Sequence, residues 1–128
     1  MRHHPVAAKF LGTYDAGLRF VDLYVRSGAD AEFRMQPEKG KNARITIGIE
    51  GRWWVVLSCL VHEITELIYT DMGLRMVPGP DIARDNGAYF FAMNHTQFSE
   101  ATARVSLFLS EAPADLQQYH RKNRKKEN

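Results

Sequence analysis

The sequence predicts an α+β domain, an antiparallel sheet of about four strands packed on one face by two main helices. Three observations lead there. Apolar and polar residues alternate over Val21–Arg26, Ala31–Gln36 and Arg44–Ile49, which is the period of half-buried strands. The stretch Trp53–Met72 then runs without Gly or Pro and repeats its apolar residues at helical spacing, with Gly73 where a helix C′ residue belongs. Finally, Ala88–Met93 is apolar or aromatic throughout and is followed by Asn94-His95-Thr96-Gln97, whose Asn and Gln are spaced as a capping box.

Taken in order, Met1–Gly12 is expected to be an N-terminal segment, with His3 and His4 on a solvated end and a short apolar patch from Val6 to Leu11. The first strand follows over Leu18–Arg26, and Ser27-Gly28-Ala29-Asp30 reads as a turn. The second strand, Ala31–Gln36, keeps one wet face. A polar loop from Pro37 to Asn42 leads to the third, centred on Ile45, Ile47 and Ile49, and such short connections imply an antiparallel meander. In the long helix, Trp53, Val56, Leu60, Ile64 and Leu67 share a face. Ser58, Cys59, His62, Thr65, Glu66 and Tyr69 lie towards another, and the helix is expected to be largely buried. Pro78-Gly79-Pro80-Asp81 breaks the chain, and Asp81–Gly87 reads as a loop. Ala88–Met93 suits an inner strand, Thr96–Ser110 a second helix supported by Phe98, Ala101, Val105 and Phe108, and Ala114 to about Arg121 a short third one.

A chain of 128 residues fits one domain with a sizeable core. The compact part is expected over residues 13–120, followed by a basic tail over 121–128. The formal charge of +2 reflects that tail, where Arg121, Lys122, Arg124, Lys125 and Lys126 gather. It therefore argues for no nucleic-acid-binding face on the body, and nucleic acid is expected to meet this chain only through the tail. The single cysteine, Cys59, forms no intrachain disulfide, and a reducing cytoplasm is the expected compartment. The longest apolar run, Trp53–Val61, falls far short of the roughly 20 residues that span a bilayer.

Chemistry concentrates in Val61-His62-Glu63-Ile64-Thr65-Glu66-Leu67. On a helix, His62 and Glu66 stand one turn apart on one face, with Glu63 about 100° round the axis. This is the layout of an H-E-x-x-H metal-binding helix with a carboxylate where the second imidazole usually stands. The usual hydrolytic pattern has three protein ligands and keeps a fourth position open for water. His95, at the junction of the apolar strand and the second helix, is the first choice and Glu100 the second. His62, Glu66 and His95 would then hold Zn²⁺, with Mn²⁺ or Fe²⁺ also compatible, and Glu63 would take the proton of a metal-bound water. The plain alternative is a polar helix stripe in which His62 and Glu66 make an ordinary i,i+4 pair. Cys59, one turn before His62, is a weaker candidate for a nucleophile with His62 as base. Ser58 has no elbow sequence around it. Gly48-Ile49-Glu50-Gly51 lacks the lysine and spacing of a phosphate loop.

The H-E-x-x-E helix ending in Gly73-Leu74, followed by a hydrophobic strand closing on Asn94-His95-Thr96-Gln97-Phe98-Ser99-Glu100, resembles small zincin-like proteins of bacteriophages and prophages. The resemblance covers roughly residues 43–120. It implies a zincin-like fold, a metal on His62 and Glu66, Glu63 as base, a role near His95, and a peptidase or amidase acting on a peptide or protein substrate. Glu66 departs from the second histidine that active peptidases of this type mostly keep. A phage origin would equally suit a non-catalytic protein that binds and blocks a host protein.

Overall fold

The computed structural model describes residues 7–76 and 90–127. His3, His4, the expected Asp81–Gly87 loop and the first two residues of the expected Ala88–Met93 strand lie outside them. The chain is α+β, with a four-stranded mixed sheet and three helices among the described residues. Strands β1 (Lys9–Asp15), β2 (Phe20–Arg26), β3 (Ala31–Arg34) and β4 (Ala43–Gly48) form one sheet in the order β1-β2-β4-β3.

Two features of this sheet differ from the expected antiparallel meander. Its fourth strand is β1, built from the segment expected as an N-terminal lead-in. Moreover, β2 and β4 pair in parallel, Val21 against Ala43 through Arg26 against Gly48. The chain leaves β2, crosses over the end of β4, and returns as the edge strand β3, which is antiparallel to β4. Gly48 makes that crossing possible. A Cβ there would lie 2.3 Å from the Gly28 carbonyl oxygen, while the Gly48 amide donates to Asp30 O at 2.7 Å. A side chain would push the connection off the strand, so the central position of β4 depends on glycine.

One face of the sheet carries the core. Val21, Leu23 and Val25 of β2 and Ile45 and Ile47 of β4 are fully buried. Helix α1 (Trp53–Asp71) lies over β3 and β4 and presents Val56, Leu60, Ile64, Leu67 and Ile68 to them. Each such side chain contributes roughly 1.5–3 kcal/mol by leaving water. The helix ends as expected: Gly73 takes φ 72°, its amide donates to Thr70 O, and Leu74 N donates to Tyr69 O, so a left-handed glycine closes the last turn. Helix α2 (His95–Leu109) starts with the expected capping box, Gln97 N donating to Asn94 Oδ1 at 2.8 Å and Asn94 N to Gln97 Oε1 at 2.9 Å. Helix α3 (Ala112–Glu127) packs against β1 and α1. It is longer than expected and carries the basic residues on a helix where a frayed tail was anticipated. Among the described residues the expected hydrophobic strand contributes β6 (Phe90–Phe91), which pairs with β5 (Arg75–Met76) in a separate two-stranded ribbon at the end of α1. No helix among the described residues is long and apolar enough to cross a membrane.

The hairpin joining β1 and β2 is fastened to the helices by a buried ionic group. Arg104 of α2, 6% exposed, donates through Nε to Ala16 O at 2.8 Å and through a terminal nitrogen to Asp71 Oδ2 at 2.7 Å. Arg19 donates to the other oxygen of Asp71 at 2.9 Å. Gly17 lies so close that a Cβ would sit 2.6 Å from Arg104 Nε, and its φ of +89° is left-handed. Burial by itself would raise the Asp71 carboxyl, but the hydrogen bonds from Arg19 and Arg104, with their charges, outweigh it and hold it below the usual carboxylate range.

Removing that carboxylate should strand a buried guanidinium. Asp71→Ala is expected to cost on the order of 3 kcal/mol in urea unfolding. Because the folded-state pKa is depressed, the contribution of Asp71 is fully present above its unfolded value of roughly 4 and disappears as pH falls through the folded value. The variant should therefore show a flatter loss of stability in acid than the wild type. Equal slopes below pH 4 would show that the group carries no pH-linked stability.

Candidate metal centre

Periodicity decides which residues of α1 meet the sheet, and it leaves the His62 face turned outwards. The His62 side chain is 66% exposed and that of Glu66 23%, so the helix is less deeply buried on this side than its apolar content implies. His62 Nε2 stands 3.3 Å from Glu66 Oε2, the i,i+4 contact expected from the spacing. Glu63 behaves differently. It is 6% exposed, yet its carboxylate belongs to the same group: one ligand atom each from His62, Glu63 and Glu66 all lie within 4.8 Å of one another. A rotation of 100° about the axis separates the Cα positions of His62 and Glu63, but three bonds of side chain span the gap. The i,i+3 spacing of Glu63 and Glu66 makes those two neighbours in any case. That second spacing was the signal for including Glu63 among the converging groups.

His95 is not among them. It is the exposed first residue of α2, and the strand leading to it is tied to the far end of α1, where Ala92 N donates to Leu74 O at 3.0 Å. At 1.5 Å per residue, His62 lies about 14 Å back along the axis from Asp71. The structure thus brings His62 and Glu66 together as expected, adds Glu63, and leaves the expected third ligand His95 outside the group. Glu100 is likewise exposed on α2 and outside it.

The group borders a cleft of about 290 Å³ lined by Ala31 at the start of β3 and by Ser58, Cys59, His62 and Glu63 of α1. Cys59, partly buried and a free thiol, shares this wall with His62. Burial pushes the Glu63 carboxyl above its ordinary value; His62 opposes the rise, and the Glu66 and Glu32 carboxylates reinforce it. A carboxylate pressed against the core, next to a second carboxylate and an exposed imidazole, is the electrostatic setting that a cation would relieve.

Comparisons with family models, with curated proteins and with solved structures find no match for this chain. The likeness to zincin-like proteins therefore stands on the short motifs themselves, and the case for a site stands on the geometry of α1.

The burial of Glu63 has a measurable consequence in metal-free protein. Its raised pKa means that the folded chain keeps a proton to higher pH than the unfolded chain. Its favourable contribution is full below the unfolded value of roughly 4.3 and is lost as pH rises through the folded one. With chelator present, Glu63→Gln should raise the urea midpoint at pH 7 and give no advantage at pH 4. A lower midpoint at pH 7 would show that the ionised carboxylate is stabilised by partners, against this account.

Proposed function

We propose that this protein is a small metal-dependent hydrolase whose ion is held on the outer face of α1 by two protein ligands, His62 and Glu66, one fewer than the usual hydrolytic pattern now that His95 lies elsewhere, with Glu63 beside them as proton acceptor. The observation that carries the reading is the convergence of the three donor atoms within 4.8 Å at the edge of a cleft. The donor set fits the group: one imidazole and carboxylate oxygens suit Zn²⁺, and equally Mn²⁺ or Fe²⁺. The 3.3 Å between His62 Nε2 and Glu66 Oε2 matches two ligands on an ion at bond lengths of roughly 2.0–2.2 Å. When bound, such an ion supplies Lewis acidity and a water acidified towards neutrality. The chain's own residues do the rest. His62 and Glu66 fix the ion's position from a single helical turn. Glu63, walled in on the core side, keeps a carboxylate oxygen within 4.8 Å of the other two donor atoms and would take up the proton. The open side next to Ala31 and Ser58 is where a peptide or amide group would enter.

A second reading rests on Trp54, Val55 and Val61, which stay 67%, 36% and 38% exposed on the same helix. These residues would suit a non-catalytic protein that docks α1 on a protein partner.

Equilibrium dialysis of chelator-stripped protein against Zn²⁺ or Mn²⁺ tests the proposal. One ion per chain is expected for the wild type, with at least about a ten-fold weaker affinity for Glu66→Ala. At about 100 times the dissociation constant, the ion should add roughly 2.7 kcal/mol to unfolding stability. Glu63→Gln should keep the ion and lower hydrolysis of a mixed peptide and amide substrate set by about 10²-fold or more. Loss of the ion in Glu63→Gln makes Glu63 a ligand and removes its assignment as base. No bound ion in the wild type leaves the docking reading in front.

A further inference from the structure

The basic segment at the C-terminus is placed where it can act. Helix α3 and strand β1 enclose a hollow of about 430 Å³, and a second of about 260 Å³ adjoins it towards the β4–α1 connection. Tyr119 and Asn123 belong to both, so the two hollows meet at these residues of α3. Lys9 stands on the β1 bank, and Lys122 and Arg124 on the helix bank. The helix beside these hollows is anchored by the residue that follows Tyr119. His120 is 3% exposed, its Nε2 lies 2.8 Å from Gly51 O, and its ring packs on Trp53 with centroids 5.8 Å apart. Asn123 Nδ2 donates to Tyr119 O at 2.9 Å, which steadies the shared wall.

From this arrangement we infer a binding site for single-stranded nucleic acid that runs over the two adjoining hollows, past Tyr119. The cations lie on both banks of a concave surface, which is how a phosphate chain is held. Two acids also reach the walls. Asp115 is engaged by the Tyr14 hydroxyl, which donates to it at 2.6 Å, and Glu50 is exposed on the second hollow. They reduce the positive field without cancelling it, since three cations, Lys9, Lys122 and Arg124, stand against these two acids on the walls. Cations spread over two adjoining hollows suit a repeating anion better than a single phosphate.

Tyr119 supplies the element that mere charge lacks. Lys9 Nζ lies 5.2 Å from the centre of its ring. An unpaired base stacked on that ring would take the place of the lysine and release its ammonium to the neighbouring phosphate. Stacking and charge are thereby coupled in one motion. A duplex offers no free base face to the ring, and an acidic peptide no flat one, so both fit the site less well.

Fluorescence anisotropy with a labelled twelve-residue thymidine oligonucleotide tests the inference on the full chain. At about 50 mM salt, micromolar binding is expected, falling steeply towards 200 mM. The triple variant Lys9→Ala, Lys122→Ala, Arg124→Ala should bind at least about ten-fold more weakly and lower the salt slope by about two, three phosphates at roughly 0.7 each. Tyr119→Leu should weaken binding about ten-fold with the slope unchanged, and Tyr119→Phe should restore it, with circular dichroism checking the fold of each. No binding by the wild type at 50 mM salt overturns the site. Undiminished binding by the triple variant also overturns it. A matching duplex or a poly-glutamate peptide that competes as well as the unlabelled oligonucleotide replaces nucleic-acid recognition by a general polyanion surface.

Discussion

Arg104 holds together three parts of the chain that lie far apart in sequence. Its guanidinium reaches the Ala16 carbonyl in the β1–β2 hairpin and the Asp71 carboxylate at the end of α1, while Arg19 closes the group from the hairpin side. A buried cation is costly unless its donors are met by acceptors, and here a carboxylate and a main-chain carbonyl meet them. Because the partners come from a turn, a helix end and a second helix, they can be satisfied together only when all three are in place. The group is therefore less a source of net stability than a condition on the arrangement. Gly17 shows how tight that condition is, since the turn passes where only a hydrogen leaves room for the arginine stem.

Much of the local structure was legible in the sequence, because local signals have local causes. The ends of α1 and α2 followed from Gly73 and from the Asn94–Gln97 box, whose hydrogen bonds need only neighbouring residues. The core face of α1 followed from spacing. What alternation does not encode is which strand lies beside which. Ile45 and Ile47 read as one face of a strand in a meander, yet β4 sits between β2 and β3 and is parallel to one of them. The clue was Gly48, together with Gly28 in the preceding turn, and its meaning depends on a contact between segments that sequence order keeps apart. The length of α3 was hidden for a similar reason. Five cations near a terminus read as a solvated tail, but Leu116 and His120 are buried and draw the whole of α3 onto β1 and α1.

The candidate metal centre was half legible. The i,i+4 pair of His62 and Glu66 is a property of any helix, and the structure has it. Glu63 was placed in the sequence reading as a base turned from the ligands, and its convergence with them depends on side-chain reach and on burial against the sheet. His95 was a choice made from a presumed strand order. Once β6 pairs with β5 at the tip of α1 and stays out of the main sheet, the residue that follows it opens α2 beyond the end of α1.

These constraints converge on α1. At its N-terminal end the Gly51 carbonyl is bound by His120 of α3, and at its C-terminal end Asp71 is bound by Arg104 of α2. Its inner face is filled by Val56, Leu60, Ile64, Leu67 and Ile68. A helix clamped at both ends and packed along one side has little freedom to bend in between, and the turn from His62 to Glu66 lies in that interval. Side chains that converge on such a turn start close to the geometry an ion requires, so less of the binding energy is lost in ordering them. A His and two Glu on an isolated helix would be free to splay apart; on this one their spacing is held by the same packing that folds the domain.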